Sequence, residues 1–344
     1  MIIAFHEEYL GIRGTSVAMY DYANYNEKIL GNKSIIITRN IDSVSSILNL
    51  VITKTKIFTE TEKVDPLGVS KFESRFPVFR YKTQQDLEKI IEDEKCNVLY
   101  SIKYGKRTGI LSTKIKNVIH CVFDMSQPHG NVYAGVSEAL ASKFNSKIFV
   151  PHMIGLEPST TYENMRRELD IPKDAIVFGR YGGLDTMDLK FCWLVISQIV
   201  STLPNIYFLF ANTPQVINHP QVKYVPKMIH DYDKNLFIQT CDAHLECGSM
   251  GHSFGLAIGE FSVNNKPVIA FKKPPNVILG GIWNDSHIHI LGDRGIYYSN
   301  EQEFYQVLTT FNPKNYKDKD LNCYKDYNPE KVMVVFKNIF LEES

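Results

Sequence analysis

The sequence predicts an α/β protein made of two doubly wound parallel-sheet domains facing a central cleft. Three observations lead there. The chain has 344 residues, more than one hydrophobic core usually organises, so two domains of about 150 to 180 residues are expected. Its apolar segments are short continuous runs rather than alternating ones, as in strands buried on both faces. These runs alternate with helical stretches, and strand–helix–strand repetition implies parallel sheets covered on both sides.

The elements follow in order. Ile2–Phe5 reads as a first strand, the stretch from Gly14 to Gly31 as a helix, and Ser34–Thr38 (SIIIT) as a buried strand. Asn97–Tyr100 and Asn117–Val122 are further strands. Tyr133–Phe144 reads as a helix and Lys147–Val150 (KIFV) as a strand. Pro151, Gly155, Pro158 and Pro172 then break the pattern around a short charged helix, Tyr162–Leu169, which is a linker composition. The pattern restarts with a strand at Ala175–Phe178, a helix at Met187–Val200 and a strand at Asn205–Phe210. Strands at Val222–Val225, Ala243–Leu245 and Pro267–Ala270 are interleaved with helices at Asp231–Thr240 and Phe254–Val263. Two late helices, Glu301–Phe311 and Pro329–Phe340, close the chain. The domains are therefore drawn as 1–155 and 156–325, with 326–344 a C-terminal helix placed to pack back on the N-terminal domain.

Composition narrows the function classes. Lys+Arg and Asp+Glu both number 38, so the net charge is zero, without the basic excess of a nucleic-acid binder. The six cysteines form no CxxC pair and several lie in apolar runs, which points to buried thiols in a reducing compartment rather than a disulfide framework. Cys241, Cys247, His244 and His252 are close in sequence, but their spacing fits no zinc pattern, so no metal is expected. The N-terminal apolar run is too short for a signal peptide, and no run approaches the roughly 20 residues of a membrane helix. A cytoplasmic location without a transmembrane segment is the expectation.

In open α/β sheets ligands bind beyond the carboxyl ends of strands, where helix N-termini present free N–H groups to anions. Four strand-to-helix turns were compared on that basis. In FHEEYLGIRGTSVAMYDYA, Gly11 and Gly14 bracket a loop in which Thr15 could cap the helix; a plain glycine-dependent loop is the simpler reading. In IVFGRYGGLDTMD, Arg180 stands at a strand end among glycines, suited to clamp a phosphate, with pairing to Asp185 or Asp188 as the alternative. In AHLECGSMGHSFGLAIGEF, a glycine-rich loop leads into a helix whose first turn includes Ser253, Phe254, Gly255 and Leu256. Glu260 sits inside that otherwise apolar helix, where a ligand's hydroxyls would be suitable partners. In VIHCVFDMSQPHGNVYAGVSEALA, His120 and His129 are candidates for a histidine facing the cleft, against the alternative of simple packing.

Together these segments resemble the retaining GT-B glycosyltransferases grouped as family four, over most of the chain and most closely from about 175 to 270. HSFGLAIGEFSVNNKPVIA is similar to that family's acid-flanked glycine turn, helix and following strand. VFGRYGG is similar to its arginine-bearing strand end, and VSEALA before KIFVPH to its helix and strand before the linker. The resemblance implies two Rossmann-like domains. It implies that Glu260 holds the donor ribose, that the turn at Phe254, Gly255 and Leu256 holds the diphosphate through its backbone, and that Arg180 clamps phosphate. It also implies that Gly14 approaches the donor phosphate and that His120 or His129 lies near the reacting sugar. Two departures stand out. The family's first acid, eight residues before Glu260, is His252 here, and the lysine expected five or six residues after Arg180 is replaced by Asp185 and Thr186, with Lys190 and Lys227 as other cations.

The expected function is transfer of a sugar from a nucleoside diphosphate sugar, UDP or GDP type, to an acceptor hydroxyl of a glycan, lipid or protein. Retention of configuration follows from the resemblance; with Arg180 and the helix turn at Phe254–Leu256 stabilising the leaving diphosphate, no metal or other cofactor is expected. Arg180, His252, His120 and His129 are the candidate catalytic residues; Gly14, Arg180, Ser253, Phe254, Gly255, Leu256 and Glu260 are the candidate donor-binding residues. A catalytically impaired nucleotide-sugar-binding protein is the alternative that His252 raises. A nicotinamide-dependent oxidoreductase is disfavoured, because strand one lacks a following GxGxxG and SIIITRN places no acid at the end of strand two.

Overall fold

The computed structural model describes residues 1–40, 64–277 and 283–342. The chain forms two compact units, Met1–Met153 with Pro329–Ser344, and Ile154–Asn328. It thus leaves the first unit once and returns to it at Pro329.

In unit 1, strands β1 (Ile2–His6), β2 (Lys33–Arg39), β3 (Val78–Tyr81), β4 (Val98–Lys103), β5 (Lys116–Cys121) and β6 (Val132–Gly135) form a sheet in the order β3-β2-β1-β4-β5-β6. All neighbouring pairs are parallel. The connecting helices are α1 (Gly14–Lys28), α2 (Pro66–Glu73) and α3 (Gln84–Asp93), with α4 (Glu138–Lys143) after β6. The order reverses between β1 and β4, which makes their carboxyl ends the switch point of this sheet. Ile3, Ala4, Phe5, Ile35, Ile36 and Ile37 are fully buried, as continuous apolar runs in a sheet covered on both faces require. The C-terminal helix α10 (Pro329–Phe336) belongs to this unit. Phe336 stacks on Tyr22 with ring centroids 5.2 Å apart, and Phe340 meets Tyr100 edge-on at 5.8 Å.

In unit 2, strands β7 (Ile176–Tyr181), β8 (Ile206–Ala211), β9 (Val222–Val225), β10 (Ala243–Glu246), β12 (Val268–Phe271) and β14 (Ile296–Tyr298) form a second sheet, ordered β14-β12-β10-β7-β8-β9. Again every pair is parallel. The helices are α5 (Lys190–Thr202), α6 (Asp231–Thr240), α7 (Leu256–Val263), α8 (Ser286–Leu291) and α9 (Glu301–Thr310). Alternate residues of β7 serve opposite layers. Phe178 packs with Cys192, Ile196, Phe208 and Phe304, whereas Val177 and Tyr181 pack with Phe237, Ile258 and Phe261. A separate two-residue pair joins β11 (Gly251–His252) to β13 (Asn284–Asp285).

Some expected elements change. Tyr133–Phe144 is not one helix: Val132–Gly135 pairs with β5 as a strand and only Glu138–Lys143 is helical. The break comes at Ser137, whose hydroxyl accepts the Leu140 N–H and caps α4. In Lys147–Val150 only Phe149 bridges, to Gly135. Tyr162–Leu169 makes turns rather than a helix. The segment 66–93 carries two helices and a strand beyond the expected elements. Helix α3 starts in a capping box, the Thr83 hydroxyl accepting the Asp86 N–H while the Asp86 carboxylate accepts the Thr83 N–H.

Candidate functional site

The order of the second sheet reverses between β7 and β10, so the switch-point rule directs attention to their carboxyl ends. Arg180 stands at one end and Glu246 at the other. The expected picture of an arginine reaching out from the strand end needs correction. Arg180 is fully buried. Its Nη1 donates to the Thr213 hydroxyl at 2.8 Å, and its Nη2 donates to the Gly183 carbonyl at 3.2 Å and to the Thr186 hydroxyl. The loop folds back over the guanidinium, and it is tight at Gly183, where a Cβ would lie 3.0 Å from Thr186 Cγ2. The Arg180 Nε is buried with no hydrogen-bond partner among the described residues.

Glu246 is 3% exposed. One carboxylate oxygen accepts the Gly248 N–H at 2.9 Å, and the other lies 3.0 Å from His252 Nε2 and 3.7 Å from His244 Nε2. Burial opposes its ionisation, yet the charges and contacts of His252, His244 and Arg180 hold its carboxyl well below the usual range. The His252 contact is not aligned as a regular hydrogen bond, so its attraction is mainly electrostatic. His287 meets His252 edge-on with centroids 5.3 Å apart. Burial, and secondarily the neighbouring His252, lower the His287 pKa from 6.5 to about 3, so it stays neutral at ordinary pH.

Helix α7 starts at Leu256, two residues later than expected, so Phe254 and Gly255 form the turn before it. Gly255 has φ +89°, a left-handed conformation suited to glycine. No side chain caps the helix. Phe254 is buried, and its carbonyl accepts the Tyr324 hydroxyl at 2.8 Å. Ser253 is buried beside it. Glu260 lies on the inner face of α7, with Lys234 Nζ of α6 at 2.5 Å from one carboxylate oxygen and the Tyr181 hydroxyl donating to the other at 2.6 Å. The carboxylate that was expected to face ligand hydroxyls has two protein partners instead.

The candidates in unit 1 divide. His120 is a core residue: it is fully buried, its Nδ1 is 2.6 Å from the Tyr100 hydroxyl, and its Nε2 donates to the Val150 carbonyl at 2.8 Å. Burial lowers its pKa to about 4, and the rings of Tyr22, His152 and Phe340 surround it. His129 stands nearer the carboxyl ends, its Nδ1 donating to the Gln127 carbonyl at 2.7 Å and its Nε2 accepting from Lys103 Nζ at 3.2 Å. Gly14 opens α1, where the Thr15 and Ser16 hydroxyls both donate to the Glu7 carboxylate, the latter at 2.6 Å. Thus Arg180 and His252 flank one carboxylate in unit 2, whereas His120 packs in the core of unit 1.

The sequence reading missed Glu246, Thr186, Thr213, Lys234 and Tyr181. A signal existed for Glu246, because it is the acid that ends the strand AHLE. The other four are partners brought in from separate elements. Among the described residues no group of three or more His, Cys, Asp or Glu could hold a metal ion. No helix among them is long and apolar enough to cross a membrane.

No protein-family model matches the chain, and no curated protein sequence matches it. Solved structures do. HepE from Anabaena, in complex with UDP and glucose, has a TM-score of 0.61 at 12% identity, covering 99% of this chain and 95% of that one. TarM has a TM-score of 0.62 at 9% identity, with 99% of both chains covered. The pneumococcal O-GlcNAc transferase GtfA, in complex with UDP and GlcNAc, has a TM-score of 0.60 at 10% identity, with 98% of both covered. With two parallel six-stranded sheets whose helices cover them, and likeness of this extent to such chains, the protein has the GT-B glycosyltransferase fold with two Rossmann-like domains.

Proposed function

We propose that the protein is a glycosyltransferase that moves a sugar from a nucleoside diphosphate sugar, UDP type first, to an acceptor hydroxyl. The observation that carries this reading is the buried Arg180 guanidinium at the β7–β10 switch point, with an unpartnered Nε. A buried donor left unsatisfied costs about 1–3 kcal/mol, which a ligand oxygen would recover. The first turn of α7, the helix that follows β10 in the chain, has no side-chain cap and offers further N–H groups. UDP in the HepE and GtfA structures makes UDP the first nucleotide to try.

In this reading the transition state places negative charge on the leaving diphosphate, and Arg180 with the Gly255–Leu256 turn stabilises it. The loop at Gly183–Thr186 releases the guanidinium when phosphate takes the place of the Gly183 carbonyl and the Thr186 hydroxyl. Glu260 then has to hold ribose hydroxyls in competition with Lys234 and Tyr181, or to exchange one of them. Lys234 is the cation that lies beside this carboxylate, in place of the lysine missing after Arg180. Retention of configuration is part of the proposal through the family resemblance, and independence from metal through the stabilisation that Arg180 and the helix turn supply.

Calorimetric titration with UDP, GDP and NAD tests the reading. UDP is expected to bind and NAD not to. Arg180→Ala should weaken UDP at least about tenfold, the value of one charge-assisted hydrogen bond. Unchanged affinity would remove Arg180 from the site. A second reading, binding without turnover, is favoured by the complete pairing of Glu260 and by His252 in place of an acid. Release of free sugar or UDP from a bound UDP-sugar separates the two.

A further inference from the structure

The loops after β4 and β5 in unit 1 hold cations that the donor site in unit 2 does not use. In KYGKRTG, Lys103, Lys106 and Arg107 surround Tyr104. A glycine-containing surface loop of this kind would ordinarily be mobile, yet it is tied to the next one. The Val122 N–H donates to the Lys103 carbonyl, and the Phe123 and Asp124 N–H groups donate to the Tyr104 carbonyl, each at 3.0 Å. The Arg107 N–H donates to the Gln127 side-chain oxygen at 2.9 Å, and Arg107 Nη2 donates to the Pro128 carbonyl at 2.8 Å. Gly105 has φ +127°, and a Cβ there would fall 1.9 Å from the Asp124 carbonyl oxygen, so only glycine permits the approach. Lys103 ends β4, whose carboxyl end lies at the switch point of the first sheet. Its half-buried ammonium donates to the Thr108 carbonyl and, at 3.2 Å, to His129 Nε2. Both acceptors are neutral, because burial lowers the pKa of His129. Among the described residues no carboxylate forms an ion pair with Lys103, Lys106 or Arg107. The acids that face them are Glu8, which favours the Lys103 charge from further away, and buried Asp124, which Lys106 attracts while it accepts the Ser126 N–H at 2.9 Å.

We propose that these two loops form an anion site of unit 1 that receives a phosphate group carried by the acceptor, so that the acceptor is a phosphorylated polyol or glycan rather than a neutral sugar. That the occupant is the acceptor rests on the reading of the protein as a glycosyltransferase; the anion site stands on the geometry of unit 1. An ammonium has three donors, and Lys103 uses two of them on neutral oxygen and nitrogen. A half-buried cation held this way is costly until an anion arrives. The third donor and the tethered Arg107 guanidinium supply charge-assisted hydrogen bonds to phosphate oxygens. Tyr104, packed on Phe123 with centroids 5.4 Å apart, offers a ring face to the carbon skeleton that carries the phosphate. A recessed ammonium and a fixed guanidinium suit a discrete group. An anionic lipid surface is met instead by mobile lysines with several apolar anchors, and between 103 and 129 Tyr104 is the one exposed large apolar side chain.

Calorimetry on the full chain, with and without saturating UDP, tests the site with glycerol 3-phosphate, glycerol, acetate and vesicles containing phosphatidylglycerol. Glycerol 3-phosphate is expected to bind in both conditions and glycerol not to. Lys103→Met and Arg107→Gln should each weaken glycerol 3-phosphate about tenfold or more. Lys114→Met, which removes an exposed charge paired with Glu92, should leave it within about twofold, as expected for a surface ion pair. No binding of glycerol 3-phosphate, acetate binding as tightly, or an equal loss in Lys114→Met would overturn the anion site. Tighter binding to the vesicles than to glycerol 3-phosphate, abolished by Lys103→Met, would replace the phosphorylated acceptor with a membrane surface. Should Lys103→Met not fold, the exposed Arg107→Gln and the Lys114→Met control still decide. The acceptor assignment has its own readout: UDP release from the tighter-binding of UDP-glucose and UDP-N-acetylglucosamine should be faster with glycerol 3-phosphate than with glycerol. Equal rates, zero included, would overturn that assignment. A chain that binds glycerol 3-phosphate but not UDP would sink the functional reading and leave the anion site standing.

Discussion

Glu7 ends up at the carboxyl end of β1 because the chain turns there into the loop before α1, and two hydroxyls of that helix donate to it. Those hydrogen bonds favour its charge, but burial outweighs them and pushes the carboxyl from 4.5 up to about 7. The sign of the linkage follows. Between those two values the folded chain keeps a proton that the unfolded chain has lost, so this group's contribution is full below pH 4.5 and is lost as pH rises through 7. Buried His6 and His120, both held down to about 4, act oppositely, because their unfolded forms take up protons as pH falls below 6.5. Subtracting the stability–pH curve of Glu7→Gln from that of the native chain isolates the glutamate. In urea unfolding the difference is expected to slope downward from pH 4.5 to 7 and then flatten; a flat difference throughout would show that Glu7 titrates normally. Glu260 meets the same difficulty with a different answer, a buried ion pair to Lys234. Its burial was legible from AIGEF, since an acid among apolar helix positions must acquire a partner. The identity of the partner was not, because Lys234 lies 26 residues earlier in the chain.

Among the elements, α7 shows how much depends on two glycines. Gly255 takes the left-handed turn that aims the helix start, and Gly259 lets the helix lie close against its neighbours: a Cβ there would fall 2.3 Å from Ile154 Cδ1 and 2.8 Å from the Tyr324 ring. Gly255→Ala is expected to cost about 1–2 kcal/mol from backbone strain alone, read as a lowered urea midpoint at unchanged slope. An unchanged midpoint would mean that the turn relaxes into another conformation. Strands buried on both faces, such as SIIIT and PVIA, were plain in the sequence because few other elements look like them. The failures were local. VYAG is too short for periodicity to separate strand from helix, and the charged stretch 162–169 has helix-forming residues but is tied down in turns by contacts distant in sequence, the Met165 N–H donating to the Thr240 hydroxyl and Arg166 to the Thr240 and Ala175 carbonyls and the Asp242 carboxylate. Arg180 was found from its glycines, while the loop that covers it depends on Thr186 and Thr213, whose roles appear only after folding.

Taken as a whole, the molecule consists of two sheets with matching logic, each reversing its strand order beside titratable side chains near the strands' carboxyl ends: His6, Glu7 and Lys103 in unit 1, Arg180 and Glu246 in unit 2. The repeated strand–helix alternation made this arrangement readable in advance. The return of the chain to unit 1 at Pro329 gives the first unit part of its aromatic core from its far end. Phe336 is fully buried against Phe5, Tyr22 and Tyr100. Phe336→Ala is expected to cost about 3–5 kcal/mol. Both tryptophans, Trp193 and Trp283, belong to unit 2, so their fluorescence should report an unshifted transition while circular dichroism gains an earlier phase. Coincident shifts in both signals would show that the units unfold as one.

That returning segment also sets an order of assembly. Unit 2 is contiguous, from Ile154 to Asn328, and holds all its own strands once its last residue has been synthesised. Unit 1 begins earlier but waits for Phe336 and Phe340 to fill the space beside Tyr100 and His120. On the ribosome, where domains usually mature from the N-terminus onward, the first-made half of this protein is the last to be completed.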